Sequence, residues 1–143
     1  MCDILVVDMS ARLGQPEAKV GIMPGAGGTQ RLMRAIGRPV ASLMLMSGEP
    51  ITGERAYQLG LASELTENGN ALENALKLAA KISLMPPKAL VAIKRVLTQG
   101  ADLPLNVALS LEYREFLLLF DTQDQGEGMR AFLEKRAAVF TGR

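Results

Sequence analysis

Gly14-Gln15-Pro16-Glu17 and, three residues on, Gly21-Ile22-Met23-Pro24-Gly25-Ala26-Gly27-Gly28-Thr29-Gln30-Arg31-Leu32 decide how this chain is read. Seven of the fifteen residues from Gly14 to Gly28 are glycine or proline. That density predicts a loop with backbone angles that most side chains forbid. Beyond Gly28 or Thr29 the pattern becomes helical, so the loop runs into a helix N-terminus, where oriented N–H groups favour anions or water. Glu17 places one carboxylate beside these donors. The segment is not a phosphate-binding Walker loop, because no Gly-Lys-Ser/Thr follows. Nor is it a dinucleotide fingerprint, because Gln30 occupies the third glycine position. On spacing alone it also reads as a glycine-rich turn beside a surface carboxylate.

Upstream, Ile4–Val7 is a short apolar run between Asp3 and Asp8 and predicts a buried strand; Ala11–Gly14 predicts a second extended piece. Downstream, Leu32, Ile36, Val40, Leu43 and Met44 have helical spacing, interrupted at Gly37-Arg38-Pro39. Thr52 is placed to cap a short helix ending at Gly60. Asn70 to Glu73 is a capping-box variant opening a helix with a Glu73–Lys77 pair. Pro86-Pro87 and Pro104 start two more helices, the first ending near Gly100. A last helix is expected from about Thr122 to Ala138. The expected organisation is two short strands, a glycine-rich loop and roughly six helices. One strand pair leaves both sheet edges unpaired, which calls for strands from elsewhere. Leu117-Leu118-Leu119-Phe120 is apolar nearly all round and is expected to be buried between helices or in a subunit contact. Lys88, Lys94 and Arg95 are read as a solvated basic face, the bland reading also for Lys135 and Arg136.

Composition narrows the chemistry. The chain has 143 residues, 48% of them hydrophobic, enough for one domain with a real core. Its 16 basic and 15 acidic residues nearly balance, and aromatics are 4% with no tryptophan, so neither nucleic acid nor an anionic membrane is the expected partner. Cys2 is the only cysteine and histidine is absent. No intrachain disulfide, zinc-ligand spacing or Ser-His-Asp arrangement is therefore available. Acid–base work falls first to carboxylates. The N-terminus lacks the basic and apolar regions of a signal peptide, and no uncharged apolar run reaches about 18 residues. A cytoplasmic protein is expected.

The run from Cys2 to Leu32, the middle segments Leu45-Met46-Ser47-Gly48-Glu49-Pro50-Ile51 and Ala56-Tyr57-Gln58-Leu59-Gly60-Leu61, and the tail Asp121–Met129, Ala131–Arg136 and Phe140 resemble, in order, the enoyl-CoA hydratase/isomerase (crotonase) family. Three separated motifs in the right sequence are far more specific than any one of them.

The resemblance implies an α/β fold, the C-terminal portion of the crotonase fold. Residues 1–65 would end the spiral ββα core, and residues 66–143 would form the helical trimerisation region. It implies hydration of 2-enoyl-CoA thioesters in fatty-acid or related acyl-CoA breakdown, with negative charge developing on the thioester carbonyl oxygen. Glu17 matches the second of the family's two glutamates, which supplies the proton to the α-carbon. Gly25 matches the glycine whose N–H helps hold the catalytic water. Phe132 and Lys135 match positions that reach the coenzyme A of a neighbouring subunit, the lysine as a point charge for phosphate. No cofactor is implied beyond the coenzyme A of the substrate itself. The implied partners are an acyl-CoA thioester and further copies, as a trimer or hexamer, or longer homologues in a hetero-oligomer. The family's first glutamate and its two oxyanion-hole donors have no counterpart here. The chain alone is therefore expected to be weakly active or inactive. The alternative is a non-catalytic acyl-CoA-binding or assembly module that partners with full-length homologues.

Overall fold

The computed structural model describes residues 2–143. The chain falls into two compact units, Met1–Lys77 and Leu78–Arg143.

The first unit is α/β. Strand β1 (Val6–Asp8) pairs in parallel with β4 (Glu64–Thr66), and β2 (Arg12–Leu13) pairs antiparallel with β3 (Ile51–Thr52). Between them lie a short 3₁₀ helix (Pro16–Val20), α1 (Gly28–Ile36), α2 (Arg38–Ser47) and α3 (Gly53–Gln58). Among the described residues four strands thus stand where the sequence pattern gave two. Those overlooked, β3 and β4, are two and three residues long, too short for an alternating pattern to register. Their pairing depends on partners some forty to sixty residues away, as in Val7 opposite Leu65 and Leu13 opposite Ile51. Each strand has one neighbour in its two-stranded sheet, so an edge of each pair lacks a ladder partner.

The core of this unit mixes alanines with larger aliphatic side chains and one methionine. Val7, Ala56 and Ala62 form one buried cluster, and Ile36, Ala41 and Met44 form a second; Ile51 and Leu61 pack against both. Gly53 is buried where α3 crosses β1, and a β-carbon there would overlap the backbone carbonyl of Asp8. Only glycine permits that approach. The adjoining Thr52 caps α3, its hydroxyl oxygen accepting the Arg55 N–H at 3.1 Å, a contact worth about 1 kcal/mol. The interruption at Gly37 separates α1 from α2, with Gly37 at φ 80°.

α4 (Ala71–Ser83) carries the expected Glu73–Lys77 pair at 2.6 Å, which holds the Glu73 carboxyl below its ordinary range. In the second unit, α5 (Pro87–Gly100) and α6 (Leu105–Leu119) begin behind Pro86 and Pro104 as expected and pack on one another. They are joined by Arg95, which donates to both Glu115 carboxylate oxygens at 2.9 Å, so that residue is not part of a purely solvated face. Leu117, Leu118 and Phe120 are exposed rather than buried within the chain. Among the described residues, no helix is long and apolar enough to cross a membrane.

The last helix, α7 (Gln123–Glu134), stops short of the expected Ala138. Two of its acidic side chains capture the chain that follows. Asp124, only 3% exposed, accepts the N–H groups of Thr141 (2.7 Å) and Gly142 (2.8 Å). Glu127 accepts the Val139 N–H at 3.1 Å. Satisfying these acceptors folds the tail back along the helix instead of extending it.

Candidate active site

Glu17 sits in the first turn of the 3₁₀ helix, with Pro16 pre-setting the turn and Gly21, at φ 80°, closing it. Two contacts fix this segment. Lys19 Nζ pairs with Glu49 Oε1 at 2.7 Å, and Gly14 lies against Pro50, where a β-carbon would come within 3.0 Å of the Pro50 Cα. The loop then passes the buried Pro24 and turns through Gly25-Ala26-Gly27, closed by a Gly28 N–H to Gly25 carbonyl bond of 2.8 Å. Ala26 (φ 49°) and Gly27 (φ 80°) both take left-handed angles.

These pieces border an open cleft of about 440 Å³ lined by Gln15, Glu17, Gly25, Ala26, Gly28, Arg31, Leu32 and Leu61. The two predicted residues, Glu17 and Gly25, therefore share one cleft. Glu17 Oε2 and Gln15 Oε1 are both buried and, among the described residues, accept no hydrogen bond. Buried acceptors without partners are uncommon, and a carboxylate oxygen in that state at a cavity is poised for a donor from a ligand or water.

The glycines differ in what they do. Gly28 makes room for a neighbour: a β-carbon there would lie 2.5 Å from Gln15 Nε2. Gly25 has no such constraint. Its φ is outside the left-handed region, and a β-carbon would meet nothing within 4 Å. Neither backbone angle nor packing requires glycine at 25, and the residue lines the cleft.

Phe132 and Lys135 lie in the second unit, at the end of α7. Phe132 is 80% exposed. Lys135 is exposed too and ends the helix at φ 55°, its N–H bonded to the Phe132 carbonyl at 3.3 Å. Sequence reasoning missed Gln15, Arg31 and Leu61 as cavity-lining residues, and it missed the anchoring roles of Asp124, Glu127 and Arg136.

The model of the family described as enoyl-CoA hydratase/isomerase matches residues 1–143. The chain belongs to that family. It is 47% identical, over its whole length and 56% of the relative's, to a 2,3-dehydroadipyl-CoA hydratase of Escherichia coli (strain K12). It is 38% identical to a crotonyl-CoA hydratase of Syntrophomonas wolfei, covering 97% of this chain and 54% of the relative. Solved crotonase-fold structures agree: an enoyl-CoA hydratase subunit from Geobacillus kaustophilus HTA426 superposes with a TM-score of 0.94 at 40% identity, covering 99% of this chain and 55% of that one. One from Bacillus anthracis gives 0.95 at 34%, again over 99% and 55%. The α/β architecture is that of the crotonase fold over about half the length of these relatives.

Proposed function

We propose that this chain supplies the proton-delivering side of a 2-enoyl-CoA hydratase site. Water adds across the double bond next to the thioester: its hydroxyl goes to the β-carbon and a proton to the α-carbon. Glu17 delivers that proton, and the Gly25 N–H helps hold the water. The observation that carries this reading is the buried Glu17 Oε2, without a hydrogen-bond partner, on a cleft walled by the Gly25–Gly28 loop. A positioned general acid of this kind contributes about 10²- to 10⁴-fold in rate.

Phe132 and Lys135 are proposed to touch the coenzyme A of a neighbouring copy, the phenyl ring against an apolar part and the ammonium against phosphate. Their exposure, with that of the adjacent Leu133 (76%), supports an oligomer in which this helix end is covered. Candidate substrates are the thioesters named for the relatives, 2,3-dehydroadipyl-CoA and crotonyl-CoA. Coenzyme A enters as part of the substrate, and no separate cofactor takes part in the step.

The test is steady-state hydration of both thioesters by the purified protein, with Glu17→Gln as control. Hydration lost in the control supports the reading. A second reading is a binding or assembly module for longer homologues; the chain matches about half the length of each relative. Absence of hydration, together with co-purification of a longer homologue, would favour it.

A further inference from the structure

At the end of α7 the protein holds a lysine in a conformation usually left to glycine. Lys135 has φ 55° and ψ 39°, the left-handed helix-end geometry in which a β-carbon is disfavoured. Such a residue persists only where its surroundings over-determine it. Here they do. The Lys135 and Arg136 N–H groups bond back to the Phe132 and Ala131 carbonyls at 3.3 and 3.1 Å. The Arg136 guanidinium is gripped on two sides: Nη1 and Nη2 donate to the two Glu127 oxygens at 2.6 and 2.9 Å, and Nε donates to Glu134 Oε2 at 2.6 Å. Glu127 Oε1 also takes the Val139 N–H, and Arg130 Nη2 lies 3.7 Å from Glu127 Oε2. One carboxylate thus ties α7 to the chain on the far side of Lys135. Among the described residues no ion pair engages the Lys135 ammonium itself, and the side chain is exposed.

The geometry gives Glu127 a role beyond stability. We infer that Glu127 is a positioning residue for coenzyme A: by gripping Arg136 and the Val139 N–H it fixes the turn that presents the Lys135 ammonium to a phosphate of the bound thioester. This rests on the proposed reading that Lys135 contacts coenzyme A. A loose turn would let the long lysine chain sample many directions, and each phosphate contact would then cost more ordering on binding. A strained lysine where glycine fits better is also explained, because glycine would relieve the strain and remove the charge.

The experiment is calorimetric titration of the purified protein with coenzyme A, alongside thermal unfolding and the kcat and KM of enoyl-CoA hydration. Lys135→Gly is expected to raise Tm and weaken coenzyme A about tenfold. Glu127→Gln is expected to lower Tm, weaken coenzyme A by a similar factor and raise KM with kcat unchanged. The double variant should bind no worse than Lys135→Gly, since both changes act through one ammonium. If Glu127→Gln is too unstable to titrate, Arg136→Lys, which keeps the charge but loses the two-pronged grip, takes its place. Normal coenzyme A affinity in Glu127→Gln or Arg136→Lys, with Lys135→Gly impaired, would overturn the positioning role and leave the Lys135 reading intact. Normal affinity in Lys135→Gly would overturn both.

Discussion

Replacing Gly25 by alanine separates what the fold needs from what the chemistry needs. The backbone at Gly25 lies outside the left-handed region, and the added β-carbon has no protein atom within 4 Å. Alanine at such a site restricts the unfolded chain without straining the folded one, which stabilises by about 0.4–1 kcal/mol. That corresponds to a rise in Tm of about 2–4 °C. Gly25 also lines the cleft of about 440 Å³ that holds Glu17, so the methyl is added at the wall of that cleft. It occupies roughly the space of one water molecule, about 30 Å³. If the Gly25 N–H holds the reacting water, the methyl displaces or tilts that water. The expected loss in kcat is about 10- to 100-fold, or roughly 1.4–2.7 kcal/mol of transition-state stabilisation. Differential scanning fluorimetry and hydration kinetics on the same preparation give both numbers. Higher stability with lower activity is the signature of a residue kept for function. A fall in Tm would mean that the turn needs glycine after all. A higher Tm with unchanged kcat would refute a catalytic role for this face of the loop.

Gly53→Ala should behave oppositely. Its β-carbon overlaps the Asp8 carbonyl, a backbone atom that cannot swing away, so β1 and α3 must part at a cost of about 3 kcal/mol. A large drop in denaturation midpoint checks this, and an unchanged midpoint contradicts it. The acid limb of stability should report Glu127. Its bonds from Arg136, then from the Val139 N–H, depress its carboxyl from the ordinary 4.5 to about 2. A carboxylate depressed in the folded state adds stability in full above about 4.5, and loses it as pH falls toward and through about 2. Glu127→Gln should therefore flatten the loss of Tm between pH 5 and about 2.5, and an unaltered acid profile would count against the clamp.

The helices were legible because their ends are chemically marked. Thr52, Pro86-Pro87, Pro104 and the Gly37 interruption each stand where the structure starts or breaks a helix. β3 and β4 were not legible, since a strand of two or three residues is defined by the partner that long-range packing brings to it. The last helix was read too long because its apolar spacing continues past Glu134. The competing signal, Asp124 and Glu127 accepting N–H groups from residues 139–142, is a tertiary one. In the site, Glu17 and Gly25, which the family resemblance singled out, line one cleft. Gln15 was passed over because a carboxamide carries no chemical signal until its oxygen is seen buried without a partner. Leu117–Phe120 was read as buried between helices or in a subunit contact; the exposure of Leu117, Leu118 and Phe120 goes against the first, since an apolar run does not say which chain covers it.

Glu17 as the donor of the α-proton is the claim on which the functional account turns. Hydration of a short 2-enoyl-CoA in deuterium oxide, followed by mass spectrometry of the hydroxyacyl product, reads that step directly. Whatever the rate of the unaltered protein, alone or assembled with a longer homologue, its product is expected to carry one deuterium on the α-carbon, and Glu17→Gln to form that product at least a hundredfold more slowly, with the fold unchanged. Equal rates of α-deuteration in the two proteins would contradict the account.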